Sequence, residues 1–159
     1  MLHSRNSRWG RSICAREDTL ATNKARIWLG GLAGGTAWVI WSLVVQVAYL
    51  AHRYPSAQSS GHLLKESRYP FFVAQWIVTL LILGAAIAHL YAWTRASLGP
   101  GPKTALKVGF LVGFAAGFPE NFAQASWAPV PRAFPAAWML EMWLGAILAA
   151  LVAGYLYRE

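Results

Sequence analysis

Two glutamates lie inside long apolar segments, where a carboxyl group could bind a proton or a cation. Of the six acidic residues in the chain, only Glu120 and Glu141 have such surroundings. Placing a carboxylate in hydrocarbon costs about 3 kcal/mol even on the gentler insertion scales, so an intramembrane acid is a functional candidate by default. Glu120 is followed by Asn121 and Gln124, and residues four apart share one helical face. The third apolar segment therefore presents a carboxyl group together with amides.

Residues on the other segments are predicted at a similar depth. Glu120 lies eight residues before the turn that starts at Ala128, and Glu141 lies nine residues after Arg132. At 1.5 Å per helical residue, both glutamates are about 12–14 Å from the turn that joins the third and fourth helices. Gln46 on the first segment and Gln75 on the second lie in the same half of the predicted bundle. We therefore expect one polar cluster in the outer half of the membrane, formed by Glu120, Glu141, Asn121, Gln124, Gln46 and Gln75.

Three chemical states of this cluster are open. The glutamates can be protonated and hydrogen-bonded, can pair with Arg53 or Arg132 near the outer boundary, or can hold a cation. Hydrogen bonds between membrane helices contribute about 0.6–2 kcal/mol, so a purely structural role is a real alternative. The pattern predicts no catalytic residue, and the sequence requires no cofactor.

Four apolar segments must position these side chains. Since about 20 apolar residues span the hydrocarbon core, each is long enough to be a helix that crosses a membrane. We predict an all-α membrane protein with four transmembrane helices in an up-down-up-down bundle, at about residues 27–51, 70–94, 104–127 and 133–157. Pro119 interrupts the third helix and predicts a kink in a continuous span, with a break and re-entry as the alternative.

Small residues at helical spacing indicate where these helices touch. Glycines four apart allow close helix packing in membranes, and the candidates are Gly109, Gly113, Gly117 and Gly145. In the first helix the small and polar positions form one stripe, which we expect to face the other helices: Gly31, Gly35, Trp38, Ser42 and Gln46. In the second helix we expect the same of Gln75, Thr79, Ile82, Ala86, His89 and Trp93.

The distribution of charge predicts topology. The formal net charge is +8, and ten of the fourteen Lys and Arg residues lie in the N-terminal tail, in the connection between the second and third helices counted with Lys107 at the start of the third, and at the C-terminus. Basic loops stay on the cytoplasmic side, so both termini are predicted to be cytoplasmic in the inner (plasma) membrane, with residues 1–26 as a basic tail. No basic stripe runs along a predicted element, which argues against nucleic-acid binding. The single cysteine, Cys14, excludes an intrachain disulfide.

One histidine suggests a cofactor. Ala85, His89 and Trp93 stand at successive helical turns. This pattern resembles the helix by which light-harvesting antenna polypeptides ligate a bacteriochlorophyll. The resemblance implies that His89 is a weak metal or cofactor candidate, and it assigns the chain as a whole to no family.

Three functions are consistent with these features. Small helix faces are more numerous than one bundle needs, which favours an accessory or scaffold subunit of a larger membrane complex, with other subunits or a second copy as partners besides lipid. The first alternative is a carrier of protons, cations or a small solute that uses Glu120 and Glu141. The second is a pigment- or haem-associated subunit through His89. A cavity that reaches both glutamates would favour the carrier, whereas glutamates sealed against arginine would favour the subunit.

Overall fold

The structure is a computed structural model that describes residues 24–157, and it consists of four long helices and one short one. Their bounds are Lys24–Val45 (α1), continued by a π-helical turn Gln46–Leu50, then Tyr54–Ser59 (α2), Phe72–Leu98 (α3), Pro102–Trp127 (α4) and Ala133–Leu156 (α5). All four predicted helices are present, within four residues of the expected bounds. The predicted tail lies outside the described residues except for its last three, which begin α1.

Within residues 24–157, three helices, not the predicted four, are long and apolar enough to cross a membrane. They are α1 with its π-helical turn (Lys24–Leu50), α3 and α5. α4 has 26 residues, which is sufficient length, but its hydropathy is too low. Polar residues at both ends lower the mean hydropathy of α4. They are Lys103 and Lys107 near its start, and Glu120, Asn121 and Gln124 near its end.

The helices are not packed equally against one another. α1 packs mainly on α3 and α5, and α4 packs mainly on α5, whereas α3 and α4 touch little although they are consecutive. The main core lies between α1, α3 and α5 and includes Trp38, Leu80, Ile87, Ala146 and Ala149. α3 and α4 are therefore joined by a short turn without packing closely along their length.

Glycines set the shortest distances between α1 and α3. A Cβ atom built on Gly84 would lie 2.5 Å from the backbone nitrogen of Gly35 and 2.7 Å from the carbonyl oxygen of Gly31. These neighbours are backbone atoms, which cannot rotate away. The two helix backbones are in direct contact here, and only glycine fits at position 84.

The glycines singled out in the sequence also lie against neighbouring helices. Cβ atoms built on Gly109, Gly113 and Gly117 would come within 3.0 Å of α5, and one built on Gly145 would overlap the buried indole ring of Trp38. These small faces are therefore used within the chain. The argument for a partner from surplus small faces loses its support.

The two predicted inward stripes have opposite outcomes. The α1 stripe is confirmed, because Gly31, Gly35, Trp38 and Ser42 are buried. The α3 stripe is wrong. Gln75, Thr79, Ile82, Ala86 and Trp93 are exposed, and His89 is half-buried.

The physical reason is that the polar groups of the α3 stripe bond to their own helix. The hydroxyl of Thr79 donates to the Gln75 carbonyl and the His89 ring bonds to the Ala85 carbonyl, each at 2.8 Å. Such groups need no neighbouring helix. The inward face of α3 is instead selected by Gly84, through its contact with α1.

The turn between α3 and α4 and the proline inside α4 agree with the sequence. Gly99 and Gly101 have φ angles of 81° and 132°, which non-glycine residues rarely adopt. α4 continues through Pro119 as one helix, so the alternative of a break and re-entry is wrong. The kink itself stays a prediction.

The Gly84 contact gives a test of the packing. We expect Gly84→Ala to lower the free energy of unfolding by about 1–3 kcal/mol, because the added methyl group overpacks a backbone contact. SDS-induced unfolding in mixed micelles, followed by tryptophan fluorescence, measures it. Gly30→Ala is the control, because it gains the same helix propensity of about 1 kcal/mol while its new Cβ would lie 3.3 Å from the nearest backbone atom, a tight contact and not the 2.5 Å overlap met at Gly84. Equal stability of the two variants would contradict the α1–α3 contact.

Candidate functional site

A cavity of about 720 Å³ lies where α3 and α4 diverge. The three-residue turn 99–101 holds these helices together at one end of the bundle. Towards the opposite end the start of α3 and the last turns of α4 form two walls, and α1 and α5 form the floor. We call this space the α3–α4 cavity. Its lining includes Ser42, Leu43, Gln46, Tyr54, Phe72, Val73, Trp76, Ile77, Leu80, Ala116, Glu120, Asn121, Gln124, Trp138, Glu141 and Met142.

Glu141 is fully buried at the floor of the cavity. The hydroxyl of Ser42 donates to its Oε1 at 2.6 Å, and the amide of Gln46 donates to its Oε2 at 3.2 Å. Both donors come from α1, one helical turn apart. The carboxyl group of α5 is therefore held by two side chains of α1, and each of its oxygens accepts one hydrogen bond.

Two further donors extend this arrangement on either side. The indole Nε1–H of Trp76 donates to the Ser42 hydroxyl oxygen at 3.2 Å, and the Tyr54 hydroxyl donates to Gln46 Oε1 at 2.7 Å. Every hydrogen bond in the row is donated towards Glu141. Such an arrangement is complementary to a carboxylate, which only accepts hydrogen bonds. We call these five side chains the Glu141 row.

The π-helical turn and α2 position Gln46 and Tyr54 in the Glu141 row. α1 ends in the π-helical turn Gln46–Leu50, a conformation that often marks functional sites. Leu50 then packs with Ala57 of α2 and with Phe134 and Ala137 of α5 in a small second core. This core folds α2 back over the start of α5, which brings the Tyr54 ring within 5.2 Å of Phe134 and its hydroxyl onto Gln46.

The Tyr54 hydroxyl responds to these surroundings. Burial raises its pKa above the ordinary value of 10.0, and the nearby charge of Glu141 raises it further, while a hydrogen bond with Trp138 acts in the opposite direction. Tyr54 therefore remains a neutral donor to Gln46 throughout the physiological pH range.

Glu120 lies at the rim of the cavity and not beside Glu141. It is exposed, and its Oε1 accepts a hydrogen bond from Gln124 one turn along α4 at 3.1 Å. Asn121 is buried and donates to the Gly117 carbonyl at 2.7 Å. All three residues line the cavity, across from the Glu141 row.

The structure thus brings five of the six predicted cluster residues to one cavity. Gln75 is the exception, because it lies on the exposed face of α3. The arginines proposed as counterions are elsewhere. Arg53 donates to the Tyr49 carbonyl and lies 4.1 Å from the centroid of its ring, and Arg132 lines a separate depression on the surface.

His89 lies outside the cavity. Its Nδ1 bonds to the Ala85 carbonyl, and its ring packs edge-on against Trp28 and Trp93 at centroid distances of 5.2 and 6.4 Å. Within residues 24–157 no three His, Cys, Asp or Glu side chains are grouped so that they could hold a metal ion. His89 is packed as an aromatic residue between α1 and α3.

Trp76 and Tyr54 belong to the site although the sequence pattern does not predict them. Trp76 directly follows Gln75 and so lies outside the predicted inward stripe of α3. Tyr54 lies between the predicted first and second transmembrane helices. Pro55 stands in the first turn of α2, a position that proline favours at helix starts, and this was the available signal.

Comparisons of the chain with protein-family models, with curated proteins and with solved structures find no match. Function must therefore be inferred from the geometry of the site.

The Glu141 row can be tested through Ser42. We expect Ser42→Ala to lower the free energy of unfolding by about 1–3 kcal/mol, because it leaves Glu141 Oε1 and Trp76 Nε1 each without its hydrogen-bond partner. Unfolding in SDS mixed micelles measures this change. Ser126→Ala is the matched control, since Ser126 is exposed and bonds only to the Phe122 carbonyl of its own helix.

A double-mutant cycle then separates the row from ordinary packing. If Ser42 acts through the carboxyl group, Ser42→Ala combined with Glu141→Leu, which removes both acceptor oxygens, loses less than the sum of the single losses. Strict additivity would show that the 2.6 Å hydrogen bond contributes nothing of its own.

Proposed function

We propose that this protein is a multi-pass protein of the inner (plasma) membrane that binds and carries a small solute or a cation in the α3–α4 cavity. The observation that carries the proposal is that Glu120 and Glu141 line the same cavity, one exposed at its rim and one buried at its floor. Neither is neutralised by Arg53 or Arg132. A space of this size is within the range typical of small-molecule sites, about 300–1,000 Å³.

The low hydropathy of α4 is consistent with this role. Its polar residues near the end of the helix line the cavity, and polar residues in membrane helices mostly face such cavities. We therefore propose that α4 completes a four-helix transmembrane bundle with α1, α3 and α5. The distribution of Lys and Arg supports cytoplasmic termini.

Carriage also requires a part that moves, and α4 is the candidate. It makes few contacts with α3, and Pro119 removes a backbone hydrogen bond one residue before Glu120. A change in the bend at Pro119 would alter the width of the cavity and move the Glu120 carboxyl group with it. The well-packed α1–α3–α5 core would stay fixed.

Flux through proteoliposomes tests the proposal. The purified full chain is reconstituted, and entry of protons, guanidinium and ethidium is followed with trapped pyranine, radiolabel and fluorescence. We expect at least one probe to enter at least tenfold faster than in protein-free vesicles. Glu120→Gln combined with Glu141→Gln should abolish this excess, because both carboxyl groups of the cavity are removed.

Glu66→Gln is the matched control, since it removes an exposed carboxyl group outside the cavity. Its flux should equal that of the unmodified chain. The absence of excess flux for all three probes, or equal flux in the double variant, would contradict carriage.

A role as an accessory subunit is the second candidate, and one surface feature favours it. Four phenylalanines follow one side of α4, and consecutive rings stack from Phe114 to Phe118 and from Phe118 to Phe122 at centroid distances of 4.9 and 5.6 Å. Phe110, Phe114 and Phe122 are exposed. An aromatic ladder on a helix of low hydropathy suits contact with another protein helix. Migration of the chain in a larger assembly in native membrane extracts would support this role, and recovery of the chain alone would weaken it.

A further inference from the structure

We propose that the ligand of the α3–α4 cavity is a lipophilic cation, a molecule with one positive charge on a bulky apolar body. This inference rests on the proposed function and names its substrate class. Protons and bare inorganic cations do not require a space of about 720 Å³. The shape, lining and charge of the cavity together indicate a larger and partly apolar molecule.

The apolar part of the ligand is specified by α3. This helix contributes five side chains to the cavity, Phe72, Val73, Trp76, Ile77 and Leu80, and none of them carries a charge. Leu43 and Met142 continue this surface on α1 and α5. Burying an apolar body here is favourable by roughly 25 cal/mol per Å² of surface removed from water. A small hydrophilic solute would leave this surface unused.

The charge of the ligand is specified by the opposite side. The only charged residues that line the cavity are acidic, Glu120 and Glu141, and no Lys or Arg of the described chain lines it. Glu141 already accepts hydrogen bonds on both oxygens and is fully buried. Glu120 is exposed and has only the bond from Gln124. The positive group is therefore expected to lie close to Glu120.

The route of entry also fits such a ligand. Leu43, Phe72 and Val73 at the cavity edge are exposed, and α3 and α4 make few contacts with each other. The cavity therefore opens between two helices, on the side that faces lipid in a membrane bundle. Lipophilic cations concentrate in the interfacial region of the bilayer and can enter from there.

Equilibrium binding of tetraphenylphosphonium to the full chain in nanodiscs of zwitterionic phospholipid tests this inference. Tetraphenylborate has nearly the same size and shape with the opposite charge, so it separates charge from apolar fit. We expect saturable binding of tetraphenylphosphonium and at least tenfold weaker binding of tetraphenylborate. Glu120→Gln should weaken tetraphenylphosphonium binding by about tenfold or more, since a charge-assisted contact contributes about that factor. Glu66→Gln should change binding by less than about twofold.

A second pair of variants tests the location. Ala116→Phe puts a ring into the cavity, whereas Ala115→Phe adds the same ring at the neighbouring exposed position outside it. Binding should be lost in the first and kept in the second, with helix content by circular dichroism unchanged in both. Loss in both variants, or in neither, would overturn the assignment to this cavity.

The remaining outcomes separate this inference from the proposed function. Equal binding of the two tetraphenyl ions would overturn the inference in favour of a lipid chain or another uncharged occupant. Glutamate-dependent flux of protons or guanidinium without tetraphenylphosphonium binding would also overturn it and leave carriage standing. Charge-selective binding without flux of any probe would support the lipophilic-cation site and contradict carriage.

Discussion

The carboxyl group of Glu141 is the constraint on which the rest of the structure depends. A fully buried carboxyl group in an apolar bundle is stable only if its oxygens find donors, because burying an unpaired ionised group costs several kcal/mol. Ser42 and Gln46 supply those donors from α1. This requirement fixes the register of α5 against α1, and the glycine contacts then determine how closely the remaining helices approach.

Close packing in one part of the bundle leaves space in another. Gly84 draws α3 against α1, and the glycines of α4 draw that helix against α5. α3 and α4 are thereby attached mainly to different helices, and the turn 99–101 keeps two of their ends together. The cavity is a geometric consequence of these two attachments. Its lining then combines the apolar face of α3 with the polar end of α4.

The sequence predicted much of this arrangement, because apolar length and glycine spacing depend on local properties of the chain. The four helices and the inward stripe of α1 could be foreseen. The face of α3 could not, because Thr79 and His89 satisfy their polar groups within their own helix, and polarity then does not indicate burial. The place of Tyr54 in the site could not be predicted either. Its contact with Gln46 depends on how α2 folds over α5, which is a tertiary property that no local pattern encodes.

The Glu141 row also bears on how the chain is assembled during synthesis. Ser42 and Glu141 are 99 residues apart, so α1 is synthesised long before the carboxyl group that its donors hold. Until α5 is synthesised, Ser42 and Gln46 lack that acceptor, and α5 must then bring an acidic side chain into an apolar bundle. An α1 helix already in place lowers the energetic cost of burying that side chain. The first and last helices are thus coupled in time, and a ribosome that stalls before α5 leaves an intermediate with its polar row incomplete.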